Sequence, residues 1–412
     1  MDASYRVQGL LAARRPGYSL AQEFYGDRAV FDLEMDTLFL NEWLFAGHGC
    51  EIPEVGDYTT YRVGRAEAII LRGADGEIHA FHNACRHRGS RICQSAQGNA
   101  ARLVCPYHQW TYDLEGKLLF AREMGQDFDP NAFKLKPVAC ESVGGYLFVN
   151  FSDAPPDFAP VRARIEPYML PHRLEYTKVA HKTTIVEKGN WKLVWENNRE
   201  CYHCSGSHPE LCRTFTDAPT ITGVEQTGGD NLLQDHWNRC EAAGLPSRFY
   251  LDDSGQYRVM RVPLLRDTES FTMSGKPACS KPLGAIREQR IGSMLLFHYP
   301  SSWNHLLRDH AISFHVNPIG PQETEVTTRW LVRKDAVEGV DYDLKTLTEV
   351  WDATNDQDRL LVEQNQLGVN SPAYEPGPYS PIHETGVRQF TDWYCDAMTR
   401  QLGAFVPAAA AE

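Results

Sequence analysis

The sequence lacks the features that mark membrane-bound and exported proteins. No apolar run approaches the roughly 20 residues of a membrane-spanning helix. The first thirty residues, with Arg14, Arg15 and Pro16 early, contain no signal-peptide core. We therefore expect a cytoplasmic protein with no membrane partner.

Positive charge is also scarce. The 412 residues include 41 lysines and arginines against 54 aspartates and glutamates, which gives a net charge of −13. Such a chain repels phosphate backbones, so we expect no nucleic-acid partner. The sequence has no G-x-G-x-x-G fingerprint at the start of a βαβ unit, the motif that binds a dinucleotide. If the protein uses electrons from NAD(P)H, they must therefore arrive through a separate protein.

The eleven cysteines form no disulfide framework. They are odd in number and are spread from Cys50 to Cys395. This distribution is typical of reduced thiols in a reducing compartment.

Length and periodicity predict an α+β protein with more than one domain. Residues 1–40 form a lead-in that we expect to pack on the C-terminal domain. Residues 41–155 contain short β-type runs, including 58–63, 68–71, 78–81 and 146–151. Residues 156–412 carry strand patterns at 183–187, 294–299, 312–316 and 325–332 and helical patterns at about 190–204 and 340–367. An antiparallel sheet wrapped on a long helix fits this C-terminal domain. The Ala-rich tail 407–412 should fray.

Residues 81–113 contain two short pairs of metal ligands. Cys85 and His87 form a C-x-H pair, and Cys105 and His108 form a C-x-x-H pair. Two thiolates and two imidazoles are the donor set of a Rieske [2Fe-2S] cluster. A structural Cys2His2 zinc site uses the same donors, but its usual spacing keeps cysteines together and histidines together.

Residues 190–209 contain a second candidate metal site. On a helix, Glu196, Glu200 and His203 share one face. Ser205–Ser207 can unwind and Pro209 ends the helix, so His208 can swing back toward His203. Two histidines and one carboxylate make the facial triad that suits Fe(II). The alternative is the polar face of a surface helix.

The carboxylate of such a triad should lie on the helix at 340–367. Asp358 falls on the face that carries Leu347 and Trp351, whereas Asp352 and Asp356 point away. An unpaired aspartate there would be destabilising, so it needs a partner inside the protein. Asp356 is the second candidate for the iron ligand. The structural alternative for Asp358 is a pair with a buried Arg or Tyr.

Three motifs resemble those of the Rieske non-heme iron oxygenase catalytic subunits. They are C-x-H-R-G followed by C-x-x-H-x-W, then E-N-x-x-(D/E)-x-Y-H-x4-H, and then T-N-x-Q-D-x-x-L-V-E at 354–363. The resemblance implies a Rieske β domain followed by a helix-grip catalytic domain. It implies cluster ligands at Cys85, His87, Cys105 and His108, and iron ligands at His203, His208 and Asp358. It also implies a flavin or iron-sulfur reductase and a homotrimer in which His108 and Glu200 meet across an interface.

Glu200 occupies the bridging position, where most members of the family have aspartate. A glutamate at this position resembles the branch of the family that acts on quaternary ammonium compounds. The segments around 10–20, 199–204 and 262–266 are most similar to the glycine betaine and proline betaine (stachydrine) members of that branch. The expected reaction is hydroxylation of an N-methyl group with O2, which releases formaldehyde. Aromatic residues would hold the ammonium group, with candidates at Phe297, Tyr299, Trp303 and Phe314. Aromatic ring dihydroxylation, a pure electron carrier and a zinc-stabilised binding protein are the alternatives.

Overall fold

A computed structural model describes residues 3–215, 231–265 and 267–403. The chain forms two compact units, residues 39–162 and residues 1–38 together with 163–412. The tail at 407–412 and Arg266 of the 262–266 phrase lie outside the described residues. No described helix combines the length and the apolar character needed to cross a bilayer.

Residues 39–162 form three small antiparallel sheets. Their orders are β1-β10-β9, β4-β3-β2-β5 and β6-β7-β8. The strands are β1 (Leu44–His48), β2 (Asp57–Val63), β3 (Ala66–Arg72), β4 (Ile78–His82), β5 (Gln97–Asn99), β6 (Leu103–Val104), β7 (Thr111–Tyr112), β8 (Leu118–Phe120), β9 (Ala139–Val143) and β10 (Tyr146–Asn150). The β-type runs predicted in this region are confirmed. One hydrophobic core of this unit contains Ile69, Leu71, Phe81 and Trp110. It also contains four residues in and around the metal-ligand loops, which are Cys85, Cys93, Leu103 and Cys105.

The second unit is built on one seven-stranded antiparallel sheet of order β11-β17-β16-β15-β14-β13-β12. The strands are β11 (Thr177–Glu187), β12 (Tyr250–Leu251), β13 (Tyr257–Val262), β14 (Ser293–His298), β15 (Ser302–Leu306), β16 (Ala311–Gly320) and β17 (Glu323–Arg333). The four strands predicted here are confirmed.

Helices complete the architecture. They are α1 (Ala3–Ala12), α2 (Glu23–Gly26), α3 (Arg28–Glu34), α4 (Ala159–Met169), α5 (Trp191–Asn198), α6 (Cys204–Ser207), α7 (Asn231–Ala242), α8 (Leu344–Val369) and α9 (Thr385–Leu402). The long helix α8 packs against α5 and β11. It runs through Gly368 to Val369, and Asn370 caps it in the right-handed region.

The N-terminal segment is fixed to α5 and α9 by one buried carboxylate. Glu34 is fully buried and accepts hydrogen bonds from Lys192 Nζ at 2.7 Å, Trp191 Nε1 at 2.9 Å and the Tyr394 hydroxyl at 2.5 Å. A buried charge is tolerated when it is paired and its oxygens are satisfied, as here. This network holds the start of α5, the helix that leads into the second candidate site.

Candidate metal centres

The two loops that carry Cys85 and Cys105 share one backbone design. Gly89 N–H donates to Cys85 O at 2.9 Å, and Gln109 N–H donates to Cys105 O at 3.0 Å. Gly89 has φ 78° and Gln109 has φ 54°, both in the left-handed region that favours glycine. Each loop therefore turns back on itself after its cysteine and presents a histidine within the turn.

The four predicted cluster ligands come together at these loops. Cys85 and Cys105 are 3% and 2% exposed, whereas the rings of His87 and His108 lie toward solvent with centroids 4.6 Å apart. Burial raises the pKa of the Cys85 thiol, and the neighbouring Cys105 adds to the rise. A metal centre supplies the positive charge that keeps coordinating cysteines as thiolates. The donor set and its polarity fit a [2Fe-2S] cluster with the imidazoles outward.

Tyr112 is a residue at this site that motif spacing did not reveal. Its hydroxyl lies 3.4 Å from Cys85 Sγ and accepts a hydrogen bond from the Arg86 backbone N–H at 3.1 Å. Trp110, the tryptophan of the C-x-x-H-x-W segment, stacks on His87 with an interplanar angle of 8°. Together these two rings hold the first loop in place.

Three side-chain atoms of the second unit converge as a metal-ligand triad does. His203 Nε2 and His208 Nε2 are 2.9 Å apart, and Asp358 Oδ1 lies 3.4 Å and 3.0 Å from them. For metal bonds of about 2.0–2.2 Å, ligand atoms at right angles lie about 3 Å apart. Asp358 Oδ1 is also buried without a donor of suitable hydrogen-bond geometry. These atoms fit one face of an octahedral Fe(II) site, whereas Asp356 is exposed and pairs with Arg359.

Both histidines direct their second nitrogen to an acceptor. His203 Nδ1 lies 2.5 Å from Glu200 Oε1, and His208 Nδ1 lies 2.8 Å from Gln357 Oε1. Gln357 Nε2 in turn donates to Glu210 Oε2 at 2.8 Å. Because the acceptors are fixed, each Nδ1 carries the proton and each Nε2 keeps its lone pair for a metal. Gln357 stands inside the third motif but was not singled out from the sequence.

The helix that carries this site breaks earlier than predicted. Helix α5 ends at Asn198, and Arg199 to His203 leave the helical path, so Glu196, Glu200 and His203 do not share one continuous helix face. Residues 205–207, predicted to unwind, lie instead in the short helix α6, Cys204–Ser207. His203 and His208 still meet, because they flank this single helical turn.

Electrostatics tie the triad together. Burial lowers the pKa of His203, but the neighbouring Asp358 and Glu200 carboxylates outweigh it and raise that pKa to about 9. The pKa of Asp358 is lowered because the two imidazoles outweigh its burial. A proton therefore competes with a metal ion for His203, and the competition strengthens as pH falls.

Cys201 and Cys204 correct the prediction that all cysteines are reduced thiols. The structure joins them in a disulfide with Cα atoms 4.9 Å apart. The turn between Glu200 and His203 brings these neighbours together, which their short spacing did not reveal. The other nine cysteines, all within the described residues, are not disulfide-bonded.

A cavity that is partly open to solvent borders the triad. Phe297, Phe215, Trp351, Arg258 and His305 are among its lining residues. Of the four aromatic residues considered for a cation cage, only Phe297 lines this cavity. Tyr299 receives a hydrogen bond from Arg199 Nε, and Trp303 stacks on Phe314 with centroids 5.0 Å apart.

Comparison with known proteins finds a known domain in each of the two units. Residues 42–135 match the Rieske [2Fe-2S] domain, and residues 174–400 match the ring hydroxylating alpha subunit (catalytic domain). The chain is 50% identical over 398 residues to the glycine betaine monooxygenase oxygenase subunit of Pseudomonas aeruginosa, covering 96% of this chain and 92% of that protein. The corresponding subunit of Chromohalobacter salexigens is 48% identical over 408 residues, with 97% and 90% covered.

Solved structures show the same fold. The quaternary ammonium Rieske monooxygenase CntA matches with a TM-score of 0.71 at 20% identity, covering 95% of this chain and 98% of that one. Naphthalene 1,2-dioxygenase from Rhodococcus sp. matches with a TM-score of 0.67 at 20% identity, covering 96% and 99%. These matches confirm the predicted α+β fold, and the domain matches confirm the two predicted cofactors, a Rieske cluster and a non-heme iron. This chain belongs to the Rieske non-heme iron oxygenase family, as a catalytic alpha subunit.

Proposed function

We propose that this oxygenase subunit removes an N-methyl group from a betaine, with glycine betaine as the first candidate and proline betaine (stachydrine) as the second. We assign the cluster to Cys85, His87, Cys105 and His108, and the iron to His203, His208 and Asp358. The observation that carries this proposal is the convergence of three donor atoms beside a cavity lined by aromatic and arginine side chains. The near-full-length similarity to glycine betaine monooxygenase oxygenase subunits supports the choice of substrate.

The protein residues position this chemistry. When bound, the iron supplies oxygen activation and the cluster supplies single electrons. His203, His208 and Asp358 would hold the iron, and the cavity beside them would admit O2 and substrate. Hydroxylation of an N-methyl carbon gives a carbinolamine, whose C–N bond breaks to release formaldehyde and the demethylated amine. The second oxygen atom leaves as water, with two electrons from NAD(P)H.

We assign Glu200 the role of coupling electron delivery to the iron. Its carboxylate accepts from His203 Nδ1 and from the Tyr202 backbone N–H. Glu200 also borders a second, outer groove that includes Tyr379 and Glu384. In the homotrimer that we propose, the partner subunit's His108 reaches Glu200 from that groove.

The partner that this mechanism requires is a flavin or iron-sulfur reductase. It would take two electrons from NAD(P)H and pass them singly to the cluster. Its dependence on NAD(P)H favours a cytoplasmic location.

The test is formaldehyde release. The protein, reconstituted with iron and a reductase, is given NADH, O2 and a panel of glycine betaine, proline betaine, carnitine and aromatic acids. We expect NADH- and O2-dependent formaldehyde in equal amount to the demethylated amine, and none from the Asp358→Ala variant. A cis-diol from an aromatic acid, without formaldehyde from any betaine, would contradict the proposal.

A further inference from the structure

One part of the cavity wall carries two guanidinium groups on a single aromatic ring. Arg258 on β13 and Phe297 on β14 are cross-strand partners, so their side chains lie on the same face of the sheet. The guanidinium carbon of Arg258 lies 4.8 Å from the centre of the Phe297 ring, and that of Arg199 lies 4.4 Å from it. All three residues line the cavity beside the triad.

Arg199 is held by two protein partners. Its Nε donates to the Tyr299 hydroxyl, and one terminal nitrogen donates to Gln389 Oε1 at 3.0 Å. Arg258 is 6% exposed, and its guanidinium carries five N–H donors in a plane. That geometry matches a carboxylate bidentately.

Another part of the wall is aromatic and uncharged. Leu295 and its cross-strand partner His305 share the sheet face of Phe297, and the His305 ring lies 4.8 Å from Trp351. Burial lowers the pKa of His305 to about 3, so its ring stays neutral near pH 7 and does not repel a cation. Trp351 is on α8, two turns before Asp358.

We infer that Arg258 binds the carboxylate of a zwitterionic substrate and is the residue by which this cavity selects betaines over quaternary ammonium compounds that lack a carboxylate. The inference rests on the proposed function and deepens it. Two guanidiniums attract a carboxylate and repel an ammonium group, whereas the wall with Trp351 and Phe215 favours the ammonium group through cation–π contact.

The test compares glycine betaine with choline, which has the same trimethylammonium group and a hydroxyl in place of the carboxylate. Arg258→Gln should lower kcat/KM for glycine betaine about 100-fold, mainly through KM, because it removes a charge-assisted hydrogen-bond pair. Its kcat/KM for choline should change less than about threefold. The kcat/KM of Arg258→Lys for glycine betaine should lie between those of wild type and Arg258→Gln, since lysine keeps the charge without the planar guanidinium.

The matched control is Arg164→Gln. Arg164 is exposed and lies 4.6 Å from the Tyr250 ring, away from the cavity lining. This variant should keep the wild-type preference for glycine betaine. Cluster absorbance and melting temperature check that each variant folds, and Arg258→Lys carries the test if Arg258→Gln does not fold.

Two results overturn the inference. One is a wild-type protein that uses choline as well as glycine betaine, and the other is an unchanged substrate ratio in Arg258→Gln. Failure of the proposed function is a separate outcome, in which wild type releases no formaldehyde from any betaine. Calorimetric titration then decides: glycine betaine binding that Arg258→Gln abolishes supports the inference, and equal or absent binding overturns it.

Discussion

The cluster loops and the iron triad differ in how far apart their ligands lie along the chain. All four proposed cluster ligands fall within residues 85–108, on two loops that each close on their own cysteine. The proposed iron ligands are His203 and His208 on one side and Asp358 on α8 on the other. The first centre is built mainly by local backbone geometry, and the second depends on the packing of α8 against α5. Substitutions should therefore act locally at the cluster and through tertiary structure at the iron.

The largest expected effect is on the pH dependence of the free energy of unfolding, and it concerns Glu196 in the unit that carries the iron triad. Burial, opposed by the hydroxyls of Tyr25 and Tyr379, raises the pKa of Glu196 from 4.5 to about 7. A raised folded-state pKa contributes stability that is present below the unfolded pKa and lost as pH rises through the folded pKa. Glu196→Gln stays neutral, so it should gain up to about 3 kcal/mol relative to wild type between pH 4.5 and 8.

Urea unfolding followed by tryptophan fluorescence at several pH values measures this gain. Glu123→Gln is the control, because the Glu123 side chain is 77% exposed in residues 39–162. Equal pH profiles for wild type and Glu196→Gln would refute the prediction.

The next effect concerns Glu200. Glu200→Gln keeps a hydrogen-bond acceptor for His203 Nδ1 but removes the negative charge, so we expect formaldehyde release to fall about 10–100-fold. Iron and sulfide contents should stay at wild-type levels. Glu363→Gln, on α8 and paired with Arg359 at 3.5 Å, is the matched loss of a carboxylate away from the triad. Unchanged turnover in Glu200→Gln would remove Glu200 from the mechanism.

A smaller effect is expected at Gln357. Gln357→Leu leaves the His208 Nδ1–H without its acceptor, so the affinity for Fe(II) should fall about tenfold. Metal titration of the protein with its cluster intact measures this affinity. Gln364→Leu, at an exposed position of the same helix, should bind iron as wild type does. If Gln357→Leu and Gln364→Leu both bound Fe(II) as tightly as wild type does, Gln357 would not position His208.

The smallest effect tests the cluster loops. Gly89 has φ 78° and open space where a side-chain carbon would stand, so Gly89→Ala adds only backbone strain, about 1 kcal/mol. Gln109→Gly should instead relieve strain at the equivalent position of the other loop and gain less than about 1 kcal/mol. Thermal loss of the cluster absorbance measures both changes. A higher melting temperature for Gly89→Ala than for Gln109→Gly would contradict the shared loop design.

The same contrast explains how far the sequence could predict the structure. The β runs before the cluster loops and the ligand spacing at 85–108 are local patterns, so the strands were confirmed and the four ligands were found to lie together. Asp358 was chosen from its helix face, and α8 brings it to the histidines.

What sequence reasoning missed depends on contacts between distant segments or on backbone detail. The end of α5 at Asn198, the disulfide at Cys201 and the interaction of Gln357 with His208 have no periodic signal. The cavity position of Arg258 follows from the register of β13 with β14, which the sequence does not specify.

The most direct test of the two-centre account is iron and acid-labile sulfide per chain in wild type and in Asp358→Ala. Wild type should hold about three iron atoms and two sulfides, and Asp358→Ala about two iron atoms and two sulfides with an unchanged cluster spectrum. Loss of sulfide together with iron in Asp358→Ala, or a wild-type protein without sulfide, would contradict the account.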